Sequence, residues 1–225
     1  MIVGIHQPNF LPWLGYFYKI SQSDCFVFLD NVQFSKGSYT NRAPIINNSK
    51  KKWLTMSVLT SGKKDQQIKD VVFVKDCQKK VLSTIKNSYF KCLWYSRYIE
   101  RISEILLASY QNLSDMNIDL ISYVCSELDI KTKKIKSSEL PLKQSCSTQK
   151  LVDICNSINA DVYLSGSGGD NYQDKNLFEK NDIELKYIDY EHPVYEQYGL
   201  KGFIRGTSII DILFNCGPES SRFFE

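Results

Sequence analysis

Two apolar runs near the start of the chain, residues 2–5 and 25–29, are too short for core helices, and each stops at a polar side chain, His6 in one and Asp30 in the other. Between them, Trp13, Leu14, Phe17 and Ile20 recur at near-helical spacing. Strand, helix and strand joined so closely form the βαβ signature, and such units build parallel sheets with both faces covered. In open sheets of this kind ligands bind beyond the carboxyl ends of the strands. His6 and Asp30 are therefore expected on one rim, as catalytic residues. Gln7 and Asn9, in the two-proline loop after His6, are expected beside them in substrate binding.

The rest of the chain follows the same logic. Residues 53–59 alternate like a strand, and residues 71–74 read as another. From Asp76 the period changes to 3.6, predicting helices over 77–89 (capped by Asp76), 94–107 and 114–128 (capped by Ser114). Strands are expected at 132–135, 161–164 and 184–190. Helices are expected at 149–158 after Ser147, around Phe178, and at 208–214, where Asn215-Cys216-Gly217-Pro218 is a stop signal. The fold expected is one α/β domain over residues 1–225. It has a mainly parallel sheet, helices on both faces, and a helical insertion or subdomain at about residues 76–128.

Composition narrows the function classes. The net charge of +3 is too slight to argue for nucleic acid, and the lysine runs at 50–52 and 131–136 read as solvated turns and faces. Seven cysteines form no Cys-x-x-Cys pair and are odd in number. They suggest neither a zinc set nor a disulfide framework, which points to a reducing cytoplasm. No signal peptide or membrane span is read. No metal and no tightly bound cofactor is expected.

Candidate chemistry gathers at a few points. The chain has only two histidines, His6 and His192, and either suits a general base. Ser165, Gly166 and Ser167, in a glycine turn directly after a strand, could hold an anion on backbone N–H groups. Its spacing fits neither a Walker loop nor a dinucleotide fingerprint. Tyr172 follows as a hydrogen-bond donor. Asn41 and Arg42 offer an amide and a phosphate-matching guanidinium, and Asp211 opens the last helix. Cys216, beside turn chemistry, is the one cysteine worth weighing as a nucleophile.

The run from His6 to Ile20 (HQPNFLPWLGYFYKI) resembles the opening signature of the WbqC-like proteins of bacterial O-antigen and surface-polysaccharide gene clusters. Further resemblances follow in order: FLDNVQF at residues 28–34, Asn41-Arg42, YLSG at 163–166, HPVY at 192–195 and SIIDILFNCG at 208–217. The resemblance implies a lipopolysaccharide-related transferase, carrying an acyl or aminoacyl (glycyl) group to the amine of a nucleotide-activated amino sugar. An activated acyl or aminoacyl donor would be its co-substrate. A nucleotidylyltransferase-like enzyme is the alternative, although Asn9 stands where the second histidine of a His-x-x-His pair would be. A non-catalytic partner of polysaccharide enzymes is the other alternative.

Overall fold

The computed structural model of the chain describes every residue except 63, 64, 167, 170–172 and 225. The described residues form two compact units, neither continuous in sequence. The first comprises Met1–Gln7, Gly15–Asn31 and Lys131–Glu191. The second comprises Pro8–Leu14, Val32–Ile130 and His192–Glu225.

The first unit is a five-stranded parallel sheet in the order β5-β2-β1-β6-β7. Its strands are β1 (Ile2–His6), β2 (Cys25–Phe28), β5 (Lys133–Lys136), β6 (Val162–Ser165) and β7 (Glu184–Tyr187). Helix α1 (Leu14–Ser21) joins β1 to β2, α5 (Ser147–Ser157) leads into β6, and α6 (Lys175–Glu179) leads into β7. Side chains alternate across a strand, so each face meets different helices. Val3, Ile5, Val27 and Tyr163 pack with Val152, Ile154 and Cys155 of α5 and Phe178 of α6. On the other face Phe26 meets Tyr16 of α1 with ring centroids 5.4 Å apart. A Cβ on Gly4 would lie 2.5 Å from Ser23 Oγ, so only glycine lets the chain after α1 come this close. The edge strand β5 carries Lys133, Lys134 and Lys136, charges that discourage further pairing.

The second unit holds an antiparallel hairpin, β3 (Arg42–Asn47) with β4 (Lys50–Thr55), and the helices α2 (Cys77–Tyr89), α3 (Tyr95–Leu107), α4 (Leu113–Glu127) and α7 (Ile209–Cys216). The helices of residues 76–128 thus belong to one unit with this hairpin and α7. Phe214 of α7 is fully buried against Tyr89, Tyr95 and Tyr98. Gly217 ends α7 at φ +61°, where a Cβ would lie 2.3 Å from the Trp94 ring.

Several local expectations change. The strand predicted at 71–74 is a single bridge, Val58 to Phe73. Pairing at 53–59 begins earlier, at Lys50, because residues 42–47 form the unpredicted partner strand. Asp76 does not cap α2 with its side chain. It sits in the left-handed region at φ +59° and pairs with Lys79 at 2.7 Å. The side-chain cap of α4 is Asn112, which accepts from Asp115 N at 2.9 Å, rather than Ser114. Helix α5 starts at Ser147 itself with no side-chain cap bond.

Candidate functional site

From β1 the strand order runs one way through β2 to β5, then resumes on the other side at β6 and β7. This reversal is a topological switch point, and the crevice beyond the carboxyl ends of β1 and β6 is where open α/β sheets receive ligands. The β1–β6 ladder ends at Gly4–Leu164. Beyond it stand His6 and Gln7 on one strand and Ser165 and Gly166 on the other. These four expected site residues share that edge of the first unit.

His6 is partly buried. Its Nδ1 lies 3.2 Å from Gln7 O, placing the ring proton on Nδ1 and leaving Nε2 to accept. Tyr16 packs edge-on at 4.9 Å and donates its hydroxyl to the same carbonyl at 2.9 Å. Burial, then the charge of Lys19, pushes the imidazole down to about 4 against the pull of the Gln7 carbonyl. His6 is therefore neutral at physiological pH.

Asp30 lies just past β2, on the same rim as His6, but it does not orient the ring. It is 1% exposed. Its Oδ1 accepts from Ser137 Oγ at 3.0 Å and Ser138 N at 2.9 Å, and its Oδ2 accepts from Ser138 Oγ at 2.6 Å. Lys150 Nζ donates to Asn31 O at 2.8 Å, so β2, β5 and α5 close around this carboxylate. Gln7 O and Tyr16 hold His6 in its place.

The residue the sequence reading passed over is Lys19. It is 4% exposed, and its Nζ donates to Ile5 O at 2.7 Å, the carbonyl just past the last β1–β6 rung. The Tyr163 ring centroid is 5.5 Å away. No carboxylate among the described residues pairs with it, and burial pushes the amine down to about 7. Ammonium burial without a counter-charge disfavours the charged form.

The glycine turn divides in two. Gly169 is a packing position, since a Cβ there would lie 2.3 Å from Ser165 Oγ and 2.8 Å from the Gln173 amide. A Cβ at Gly166 or Gly168 would meet nothing within 4 Å, so the backbone there borders open space. Ser165 is buried and its hydroxyl donates to Gly166 O at 3.2 Å. Ser167 and Tyr172 lie outside the described residues.

The other expected residues belong to the second unit, where Tyr195 stacks on His192 and bonds Asp211, and Asn117 ties the backbone beside Asn9 to that beside Asn41. Asn9 is buried. Asn41 spends its amide on backbone, accepting from Gly37 N at 3.1 Å and donating to Met56 O at 3.0 Å. The Arg42 guanidinium lies 4.1 Å from the Trp53 ring centroid. His192 stacks on Trp13 at 6.4 Å, and its Nδ1 lies 2.8 Å from Pro193 O. Asp211 is 1% exposed, and its Oδ2 accepts from Tyr195 Oη at 2.7 Å, Gln197 Nε2 at 2.8 Å and Thr207 Oγ1 at 3.3 Å. Burial raises its carboxyl above the usual range, against those hydrogen bonds. Burial likewise pushes the Cys216 thiol up to about 11, away from a thiolate nucleophile. Among the described residues no group of three His, Cys, Asp or Glu could hold a metal ion, and no helix is long and apolar enough to cross a membrane.

Comparison with known proteins agrees with the motifs. The uncharacterized protein Rv1507c of Mycobacterium tuberculosis (strain ATCC 25618 / H37Rv) is 30% identical over 225 residues, covering 98% of this chain and 96% of its own. No solved structure matches the chain. The WbqC-like protein family matches residues 7–223, from the residue after His6 almost to the end, and the chain belongs to that family.

Proposed function

We propose that the protein is a transferase of surface-polysaccharide biosynthesis. It carries an acyl or aminoacyl (glycyl) group to the amine of a nucleotide-activated amino sugar. The observation that carries this reading is the switch-point crevice of the first unit, where His6, Gln7, Ser165 and Gly166 share one strand edge. Membership of the WbqC-like family supports the biosynthetic setting, through the resemblance of its motifs to proteins of polysaccharide gene clusters.

In this reading the sugar amine attacks the acyl carbonyl carbon. A C–N bond forms and the carbonyl electrons move onto oxygen. The oxyanion then collapses, expels the donor's leaving group with its electron pair, and leaves an amide. The nitrogen loses its extra proton to His6 Nε2, which is free to accept because Nδ1 faces Gln7 O. An imidazole held near 4 is a weak base. The proton therefore moves late, as the oxyanion collapses and the nitrogen takes on amide character, when its N–H becomes a strong acid. Backbone N–H groups at Gly166 and Gly168 would steady the oxyanion or the diphosphate.

The test is mass spectrometry of nucleotide amino sugars incubated with the protein and a set of activated acyl and aminoacyl donors. The reading expects a mass gain of one acyl or glycyl residue on the sugar. No gain with any donor would overturn it. The sheet order favours one alternative, because its strands taken in chain order run 3-2-1-4-5, the doubly wound nucleotide-binding order without the sixth strand. Pyrophosphate release from a nucleoside triphosphate and a sugar phosphate would identify such a nucleotidylyltransferase.

A further inference from the structure

Lys19 is the buried group that the transfer reading leaves unused. Its ammonium has three N–H donors but a single hydrogen-bond acceptor among the described residues, Ile5 O at 2.7 Å. The titratable groups facing it are the His6 imidazole from β1 and the Tyr163 phenol from β6, and no carboxylate among the described residues pairs with it. It stands at the crevice where the β1–β6 ladder stops. On the neighbouring strand the chain continues past β6 into Gly166 and Gly168, where a Cβ would meet nothing within 4 Å, which leaves room for ligand oxygens beside that backbone.

We propose that Lys19 is the seat of a phosphoryl anion, receiving the diphosphate of the bound nucleotide at the carboxyl ends of β1 and β6. The inference rests on the nucleotide-sugar reading and names the group that recognises the activated part of the substrate. A buried cation without a counter-ion is costly, and a phosphoryl oxygen supplies both the charge and an acceptor for the two unused N–H groups. Burial holds the free amine near 7, so anion and proton bind together near neutral pH. A bound anion raises the amine, and the site takes up the missing proton.

Isothermal titration calorimetry tests this with inorganic sulfate and UDP-glucose as separate probes, neither of which titrates near neutral pH, at pH 7.5 in two buffers of different ionisation enthalpy. The parent is expected to take up about 0.8 proton per site, the fraction of amine that is neutral half a pH unit above 7. His6 adds little, because even an unperturbed imidazole near 6.5 is mostly neutral at this pH. Lys19→Gln, which keeps a donor for Ile5 O, should weaken both probes about tenfold or more and abolish the uptake. The parent's proton uptake needs no variant, so a misfolded Lys19→Gln would not protect the proposal.

Three results overturn the inference: no binding of either probe, binding without proton exchange, or unchanged affinity and uptake in Lys19→Gln. The two proposals fail separately. Nucleotide-sugar turnover that survives Lys19→Gln with unchanged affinity keeps the transferase and removes the anion seat. Lys19-dependent uptake without any acylated sugar keeps the seat and removes the transfer reaction.

Discussion

Replacing Lys19 with methionine should stabilise the protein at neutral and mildly acidic pH, and the gain should disappear in alkali. The folded chain holds this amine near 7, whereas an unfolded lysine titrates near about 10.4. Between these values the unfolded state binds the proton and the folded state does not, so the stability of the parent rises with pH. Below about 7 both states are protonated, and the fold carries the whole penalty of the buried ammonium. At ~1.4 kcal/mol per pH unit, that penalty reaches ~4–5 kcal/mol. It is a large share of the ~5–15 kcal/mol typical of a whole domain.

Methionine removes the charge but also the hydrogen bond to Ile5 O, and leaving a buried carbonyl unpaired costs ~1–3 kcal/mol. The net expectation is a Lys19→Met protein more stable than the parent by ~2 kcal/mol at pH 6.5, and no more stable at pH 9.5. Urea denaturation of both proteins at pH 6.5, 8 and 9.5 measures it. The difference between the two proteins cancels the titration of groups they share. Parallel stability–pH curves would refute the reasoning, because they would mean that Lys19 keeps its proton in the folded state up to alkaline pH.

The other expected outcomes concern the histidine, a helix end and a buried carboxyl. His6→Ala should lower turnover by about 10²–10⁴-fold while the chain stays folded, as judged by product mass spectrometry beside circular dichroism. It should also abolish a stability loss of ~2–3 kcal/mol that the parent suffers as pH falls from about 6.5 to 4, because the unfolded imidazole binds its proton first. Gly217→Ala forces a Cβ into the Trp94 ring at a left-handed φ and should cost ~2–4 kcal/mol. Gly166→Ala, facing open space, should cost under ~1 kcal/mol, and equal melting shifts for the two would refute the packing argument. Asp211→Ala strands Tyr195, Gln197 and Thr207 and should cost ~3–5 kcal/mol in thermal or denaturant unfolding. Asp211→Asn should cost ~1–2 kcal/mol, since burial already favours the neutral carboxyl.

The parallel sheet was legible because β1, β2 and β6 are covered on both faces and so read as unbroken apolar runs. Their ends then located the edge that carries His6, Asp30 and Ser165. The β3–β4 hairpin was legible only in the end of β4. Only Leu54 of β4 is buried, Pro44 sits inside β3, and the turn uses Asn48 and Ser49 at positive φ with no glycine to announce it. β3 is buried at four successive residues and β4 at one, so neither strand of the pair shows the alternation that would set their register. Lys19 escaped for another reason. In an eight-residue helix a lysine normally marks the solvent side, yet Leu14, Gly15, Tyr16, Phe17 and Ile20 are buried too. A helix apolar nearly all round has no solvent side for a lysine, and that was the available signal.

The motif residues separate according to what their polar atoms already do. Asn41 ties Gly37 to Met56, and Asp30 is enclosed by Ser137 and Ser138. Changing either of them breaks bonds within one unit, which is enough to account for their place in a folding signature. Asp211 can relieve its burial by keeping a proton, and it lies beneath Tyr195 and Gln197. Lys19 can also shed its charge, but it does so where the β1–β6 ladder ends, on the strand edge from which the chain continues into Gly166 and Gly168 with open space beside them. The same edge carries an imidazole whose proton is fixed on Nδ1 and whose Nε2 is left to accept. Unspent bonding capacity together with access is what a binding site requires, and in the first unit both occur where the strand order reverses.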